Sequence, residues 1–157
     1  MGASWDVRFP TSACIRCRRP AKVALVSTPA TRQIIHTDAA AAAIGPYSQA
    51  VLVSGGRTLY TSGQIPLNTD GEIVGEGDVR AQTVQVLKNL DAVLKAADME
   101  WGNVARAGIF LADLGDFAAV NALYAEKFPN DPPARATVQV AGLPKGVAVE
   151  IDLIAVG

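Results

Sequence analysis

The segment Pro132-Pro133-Ala134-Arg135-Ala136-Thr137 decides how the last part of the fold begins. Proline fixes its own φ and restricts the residue before it, so a strand that follows two prolines starts in a defined direction. Arg135 stands at the mouth of that strand, and its planar guanidinium matches the geometry of a carboxylate. The segment therefore indicates a site for a small anion. The alternative is a surface arginine at the end of a strand.

Working outward, the pattern predicts strands at residues 134–141 and 147–156, joined by a turn rich in Gly and Pro. Strand alternation places Arg135 and Thr137 on one face of the first strand and Glu150 on one face of the second. If the two strands pair antiparallel, Arg135 and Glu150 can share a face, which puts a carboxylate binder beside a proton acceptor. A structural salt bridge between them, or solvated charges on an edge strand, is the alternative.

The upstream sequence predicts the remaining elements of a single domain. They are, in order, a hairpin of residues 50–53 and 58–62 joined by Ser54-Gly55-Gly56-Arg57, a helix from Asp78 as N-cap to about residue 97, a strand of residues 104–112 and a second helix capped by Asp116. The order β-β-α-β-α-β-β predicts an α+β fold with two helices on one face of a sheet. The other face would expose apolar residues, which monomers rarely do, so we expect an oligomer.

Two further residues are candidates for a pocket. Tyr47 follows Gly45-Pro46 in a turn, where a tyrosine can wall a pocket or simply hold the turn on the core. Asn121 falls on the apolar stripe of the second helix and can contact a ligand or satisfy a buried backbone group. No phosphate-binding glycine loop and no carboxylates at metal-ligand spacing occur. We therefore expect neither a cofactor nor a metal.

Charge divides the chain near residue 33. Residues 1–33 hold six basic residues and one acidic residue, a net charge of +5, whereas residues 34–157 hold eight basic and fourteen acidic residues, a net charge of −6. The basic leader predicts an organellar transit peptide, of plastid or mitochondrion. A disordered extension of a cytoplasmic protein, or a start site placed too early, is the alternative. No apolar run approaches the ~20 residues of a membrane-spanning helix.

Both cysteines, Cys14 and Cys17, lie in the leader, and one such pair cannot complete a tetrahedral zinc site. The domain of residues 34–157 therefore lacks a thiol nucleophile. The sole histidine, His36, precedes the first patterned segment, so we do not expect a histidine-based catalytic centre.

Five ordered blocks together resemble the RidA/YjgF family of enamine/imine deaminases, over roughly residue 34 to the end of the chain. The blocks are Ile44-Gly45-Pro46-Tyr47-Ser48-Gln49-Ala50, Thr61-Ser62-Gly63-Gln64-Ile65-Pro66, Val120-Asn121, Pro133-Ala134-Arg135-Ala136-Thr137, and Leu143-Pro144-Lys145 ahead of Val149-Glu150-Ile151. The resemblance implies a chorismate-mutase-like fold and a homotrimer with a barrel-like sheet core and sites at the subunit interfaces. It also implies cofactor-free hydrolysis of 2-aminoacrylate, 2-iminopropanoate and 2-iminobutanoate to 2-keto acids and ammonia, which protects the cell from damaging metabolites.

Residue roles follow from the same resemblance. Arg135 would bind the substrate carboxylate, and Glu150 would position or activate the attacking water. The implied substrate-binding residues are Tyr47, Gly63, Asn121, Arg135 and Thr137. Thr137 stands where many bacterial members carry cysteine, and the family pattern suggests a contribution through its backbone groups.

Two other functions remain open from the sequence. Some relatives have been described as ribonucleases or translation inhibitors, but the net charge of −6 on residues 34–157 argues against nucleic acid as a partner. A non-catalytic trimer that binds small carboxylates, or acts like a chaperone, is the second alternative. The presence of both Arg135 and Glu150 favours the enzyme.

Overall fold

The computed structural model describes residues 28–39 and 42–157. Its elements are β1 (Thr31–Ile35), β2 (Ala50–Ser54), β3 (Thr58–Tyr60), α1 (Val79–Ala96), β4 (Val104–Leu111), α2 (Phe117–Ala125), β5 (Ala134–Gln139) and β6 (Val149–Val156), with single 3₁₀ turns at Trp101–Asn103, Leu114–Asp116 and Pro144–Gly146. Residues 1–27 of the predicted leader, with both cysteines, lie outside the described ranges, and targeting stays a prediction. No helix in the described part of the chain is long and apolar enough to cross a membrane.

The sheet is mixed, with strand order β3-β6-β4-β5. β4 pairs parallel with β5 and antiparallel with β6, and β3 pairs antiparallel with β6. β1 and β2 form a separate antiparallel pair. Both helices lie on one face of the four-stranded sheet, where their apolar residues join alternate residues of β4 and β6 in a single core. The predicted arrangement of two helices on one face of a sheet is confirmed, and the sheet is mixed.

Local chemistry explains where α1 begins and which side it buries. The Asp78 side chain accepts hydrogen bonds from the backbone N–H groups of Arg80 (2.9 Å) and Ala81 (3.2 Å), so the predicted N-cap is confirmed. Val86, Leu90 and Leu94 recur at helical spacing and are completely buried. The stripe fixes α1 against the sheet.

Two local predictions are wrong, and one strand was not predicted. β2 and β3 do not form a hairpin: the chain turns at Gly55 and Gly56, both at positive φ, but Gly56 N–H donates to Thr28 O and Arg57 exchanges two hydrogen bonds with Gly157. These contacts direct β2 to β1 and β3 to β6. Asp116 occupies the N-cap position of α2 without a side-chain capping bond. β1 itself was not predicted, and it begins ahead of the expected domain boundary at residue 34.

β5 and β6 do not pair either, because β4 lies between them. This order separates the two predicted catalytic residues. Arg135 is in register with Ala107 of β4, a core residue, and therefore lies on the helix-covered face. Glu150 is in register with Phe110 and lies on the opposite face. The condition under which Arg135 and Glu150 could share a face of one chain, direct antiparallel pairing of β5 with β6, is therefore not met.

The face opposite the helices is left open in the single chain. It carries Tyr60 and Val138, which are 72% and 45% exposed, together with the partly buried Phe110 and Ile154. We refer to this surface as the open face. An apolar sheet surface of this kind is typical of an interface, in keeping with the expected oligomer.

Candidate functional site

Arg135 lies at the floor of a cavity of about 300 Å³ at the edge of the sheet. The cavity has three walls: the loop ahead of β2, the first turns of α2, and β5. Its lining residues are Ile44, Gly45, Pro46, Tyr47, Phe117, Asn121, Arg135 and Thr137. We call it the arginine pocket. It contains four of the predicted substrate-binding residues: Tyr47, Asn121, Arg135 and Thr137.

The guanidinium of Arg135 is fixed by one amide and three aromatic rings. Its Nη1 donates to Asn121 Oδ1 at 2.7 Å, the one hydrogen-bond partner this side chain has within residues 28–39 and 42–157. Its Cζ lies 5.1 Å from the ring centroid of Tyr124, 5.6 Å from that of Tyr47 and 5.7 Å from that of Phe117. Rings at these distances attract a cation through their quadrupoles. The guanidinium is held in place, and most of its N–H donors have no partner among the residues that the structure describes.

Burial shapes the electrostatics of the pocket. Removal from water lowers the pKa of Arg135, against the opposing influence of Tyr124 and Tyr47. The group nevertheless stays charged, because an arginine side chain in a protein is effectively always protonated. Burial raises the pKa of Tyr124, which therefore stays neutral beneath the cation. A partly desolvated, permanent cation with free donors is a strong site for a small anion.

Two internal hydrogen bonds stabilise the loop that carries Tyr47. Tyr47 N–H donates to Gly45 O at 2.7 Å, and Ile44 N–H donates to the Tyr47 hydroxyl at 3.2 Å. These two bonds hold the ring against the pocket. Of the two interpretations of Tyr47 left open by the sequence, the structure supports the pocket wall.

Two hydroxyls beside Arg135 are buried without a partner among the described residues. They are Thr137 Oγ1, which belongs to the pocket lining, and the Tyr124 hydroxyl. A buried polar atom of this kind usually has a water or ligand as its partner. Thr137 thus offers the pocket a side-chain group in addition to its backbone.

Gly63 and Glu150 lie apart from the arginine pocket, on the open face. Backbone hydrogen bonds between Gln64 and Ile151 (2.8 and 3.1 Å) fix Gly63 beside β6. A Cβ on Gly63 would lie only 2.7 Å from Glu150 Cδ, so the glycine makes room for the carboxylate. We call these two residues the acidic half-site. The chain thus brings its six predicted site residues together as two groups.

Phe117 and Tyr124 were not assigned to the site from the sequence, although both rings contact the Arg135 guanidinium. Tyr124 is completely buried, whereas Phe117 lines the pocket. The available signal was their spacing: Phe117, Asn121 and Tyr124 recur at helical intervals, so any group that meets Asn121 also meets the two rings.

The arrangement suits an organic anion better than a metal. In the described part of the chain, no three His, Cys, Asp or Glu side chains lie where they could hold a metal ion. The arginine pocket presents hydrogen-bond donors and aromatic faces, which match a carboxylate attached to a small organic group.

Comparison with known proteins identifies the family. Residues 37–157 match the family model described as Endoribonuclease L-PSP. The protein DfrA of Myxococcus xanthus is 54% identical over 125 residues, covering 80% of this chain and 95% of that protein. The 2-iminobutanoate/2-iminopropanoate deaminase of Capra hircus is 51% identical over 126 residues, covering 80% and 90%. The crystal structure of E. coli TdcF with bound serine superposes with a TM-score of 0.60 at 42% identity, covering 80% and 98%. The chain therefore belongs to the Endoribonuclease L-PSP family, which is the RidA/YjgF family.

Proposed function

We propose that this protein hydrolyses short 2-imino acids, and their enamine tautomers such as 2-aminoacrylate, to 2-keto acids and ammonia. The observation that carries the proposal is the guanidinium of Arg135, held between Asn121 and three aromatic rings in a cavity of about 300 Å³. Such a cavity is at the small end for ligand sites, so it suits a metabolite of a few carbon atoms. The proposed substrates are 2-iminopropanoate and 2-iminobutanoate.

Two relatives support this choice of substrate class. The protein from Capra hircus carries the name of a deaminase that acts on these imino acids. E. coli TdcF was crystallised with bound serine, an amino acid with a carboxylate beside a carbon that bears nitrogen. A 2-imino acid has the same two features, and the arginine pocket offers a partner for the carboxylate.

The proposed reaction needs water and one group that moves a proton. Water adds to the imine carbon to form a carbinolamine, whose C–N bond then breaks to release ammonia and leave the keto acid. Arg135 holds the carboxylate in a bidentate pair and so fixes the imine carbon. Glu150 takes one proton from the attacking water and passes it to the imine nitrogen as the carbinolamine forms. When the C–N bond breaks, Glu150 passes the hydroxyl proton of the carbinolamine to the departing nitrogen, so that both water protons leave with ammonia. Positioning and a general base together supply the modest acceleration required, the base contributing about 10²–10⁴-fold.

Glu150 can take part only if a second chain supplies it, since it lies on the face of the sheet opposite Arg135. We propose that the chain forms a homotrimer in which the open face is covered by its neighbours. The acidic half-site of one protomer would then complete the arginine pocket of the next. The apolar exposure of Tyr60 and Val138 supports burial of this face, and the number three comes from the family resemblance.

The test couples a serine or threonine dehydratase to this protein and follows capture of the released imine by semicarbazide. Addition of the wild-type protein should reduce capture, because hydrolysis consumes the imine first. Arg135→Lys should lose most of this effect, since an ammonium cannot reproduce the planar pair with a carboxylate. Arg80→Lys, an exposed arginine at the start of α1, is the matched control and should behave as wild type. Full activity in Arg135→Lys would refute the assignment.

The ribonuclease activity in the family description is not favoured by the residues of this chain. The net charge of −6 on residues 34–157 opposes binding of a polyanion. RNA cleavage that survives repurification and disappears in Arg135→Ala would reverse this preference. A trimer that only binds carboxylates would instead retain pyruvate binding and leave the imine intact.

A further inference from the structure

The segment that precedes β5 is fixed through three consecutive backbone carbonyls, which accept hydrogen bonds from Arg32 and Ser48. Arg32 Nη2 donates to Asp131 O at 2.7 Å, the Ser48 hydroxyl donates to Pro132 O, and Ser48 N–H donates to Pro133 O at 3.0 Å. Prolines have no backbone N–H, so their carbonyls are the only main-chain groups through which another segment can fix them. Ser48 binds both proline carbonyls, that of Pro132 through its hydroxyl and that of Pro133 through its backbone N–H.

Ser48 also belongs to the loop that walls the arginine pocket. It follows Tyr47 directly, and it is buried at 8% exposure. The loop closes internally through Tyr47 N–H to Gly45 O and through Ile44 N–H to the Tyr47 hydroxyl. Ser48 therefore joins two segments that both contribute to the pocket: the loop that carries the Tyr47 ring and the strand that carries Arg135.

We propose that Ser48 is a positioning residue that sets the distance between the Tyr47 ring and the Arg135 guanidinium, and thereby the width of the carboxylate pocket. The ring centroid lies 5.6 Å from Cζ of Arg135. A displaced ring would weaken its attraction to the cation and admit water to the carboxylate pair. As a role in substrate binding, this inference rests on the proposed function.

Loss of the Ser48 hydroxyl should change binding more than chemistry. The carboxylate is held equally in the ground state and the transition state, so a looser pocket raises KM and leaves kcat nearly unchanged. Ser48→Ala should raise the imine KM and the Kd of pyruvate, an unreactive carboxylate probe, by about five- to tenfold, the size of one lost hydrogen bond. Ser48→Thr keeps the hydroxyl and should restore both values. Ser54→Ala, in an exposed position at the end of β2, is the matched control.

A merely structural serine would give a different result. Ser48→Ala would then lower the unfolding temperature while KM and the pyruvate Kd of the folded protein stayed at wild-type values, and this outcome would overturn the proposal. If Ser48→Ala does not fold, Ser48→Cys, which keeps the size and a weak donor, takes its place in the same measurements.

A double-mutant cycle with Tyr47→Ala isolates the positioning role. Where the ring is absent there is nothing to position, so Ser48→Ala should add no further rise in the pyruvate Kd. An equal rise in both backgrounds would refute the proposal. Pyruvate binding needs no hydrolysis, so wild-type protein that binds pyruvate through Arg135 but leaves the imine intact would end the proposed reaction and leave the test of Ser48 in force.

Discussion

The Nη1 group of Arg135 donates to Asn121 Oδ1 at 2.7 Å, and this hydrogen bond joins the edge strand β5 to α2. It is the polar contact that fixes the rotation of the guanidinium, since the three surrounding rings attract the cation without choosing the direction of its donors. This bond explains why a polar residue, Asn121, lies on the apolar stripe of α2.

Removal of the Asn121 amide should weaken substrate binding. In Asn121→Ala the guanidinium keeps its charge but loses its orientation, and a hydrogen bond to a charged group contributes about 1.5–3 kcal/mol, so kcat/KM should fall about tenfold or more. Asn121→Asp should be worse, because its carboxylate would pair with Arg135 and compete with the substrate anion. Steady-state kinetics and pyruvate titration measure both effects. Equal activity of the aspartate and alanine variants would contradict this role.

Features set by neighbouring residues were predictable from the sequence. The side chain of Asp78 can reach the N–H groups of Arg80 and Ala81 whatever the rest of the chain does, so its capping role was visible in advance. The stiff approach through Pro132 and Pro133 likewise led correctly to a strand that starts at Ala134.

Strand pairing was not predictable in the same way, because it depends on contacts far apart in the sequence. β5 and β6 are neighbours along the chain, yet β4 lies between them. That one insertion moves Arg135 and Glu150 to opposite faces, since the face of a residue is fixed by its register with the adjacent strand. Alternation within each strand indicated which of its residues share a face. It did not indicate whether that face is the helix-covered face or the open face of the sheet.

Gly63→Ala should impair catalysis while leaving the fold intact. Gly63 does not have a positive φ, so alanine is free of backbone strain there, but its Cβ would displace the carboxylate of Glu150. A shift of about 1 Å in a catalytic group can cost about 10²-fold, and we expect kcat to fall by about that factor with little change in KM. Gly102→Ala is the control, because a Cβ there meets Glu100 at 3.7 Å, an ordinary contact. Unaltered kcat in Gly63→Ala would remove Glu150 from the reaction.

Tyr124→Phe should be neutral or stabilising. The Tyr124 hydroxyl is buried with no partner within the described residues, and such a group costs about 1–3 kcal/mol, whereas the ring that contacts Arg135 is kept. Urea denaturation should give a free energy of unfolding equal to or above that of wild type. Leu90→Ala, at a completely buried position, should lower it by about 2–5 kcal/mol and serves as the reference for core damage. A loss of similar size in Tyr124→Phe would mean that the hydroxyl has a partner after all.

The same tyrosine should make stability depend on alkaline pH. Burial raises the pKa of Tyr124 in the folded protein, so above the ordinary pKa of about 10 the unfolded state loses its proton first. The unfolded state then binds fewer protons than the folded state, and stability falls as pH rises, by up to about 1.4 kcal/mol per pH unit from this one group. Urea titrations between about pH 9 and about pH 11 should reveal this slope in wild type and a smaller one in Tyr124→Phe. Equal slopes of the free energy of unfolding against pH in the two proteins would contradict this role of Tyr124.

If the arginine pocket and the acidic half-site of different protomers form one catalytic centre, two inactive variants should complement each other. Arg135→Ala and Glu150→Gln each leave one group of residues intact, and a mixed oligomer contains junctions where both intact groups meet. Random assembly from equal amounts would restore about a quarter of the centres, because each junction draws its two groups independently.

The two variants should be unfolded and refolded together, with separately refolded samples mixed afterwards as the control. Activity that returns only in the co-refolded sample would locate Glu150 across a subunit boundary. Continued inactivity in verified mixed oligomers would mean that Arg135 and Glu150 do not act together between chains, and because they lie on opposite faces of one sheet, the water-activating role of Glu150 would fall with it.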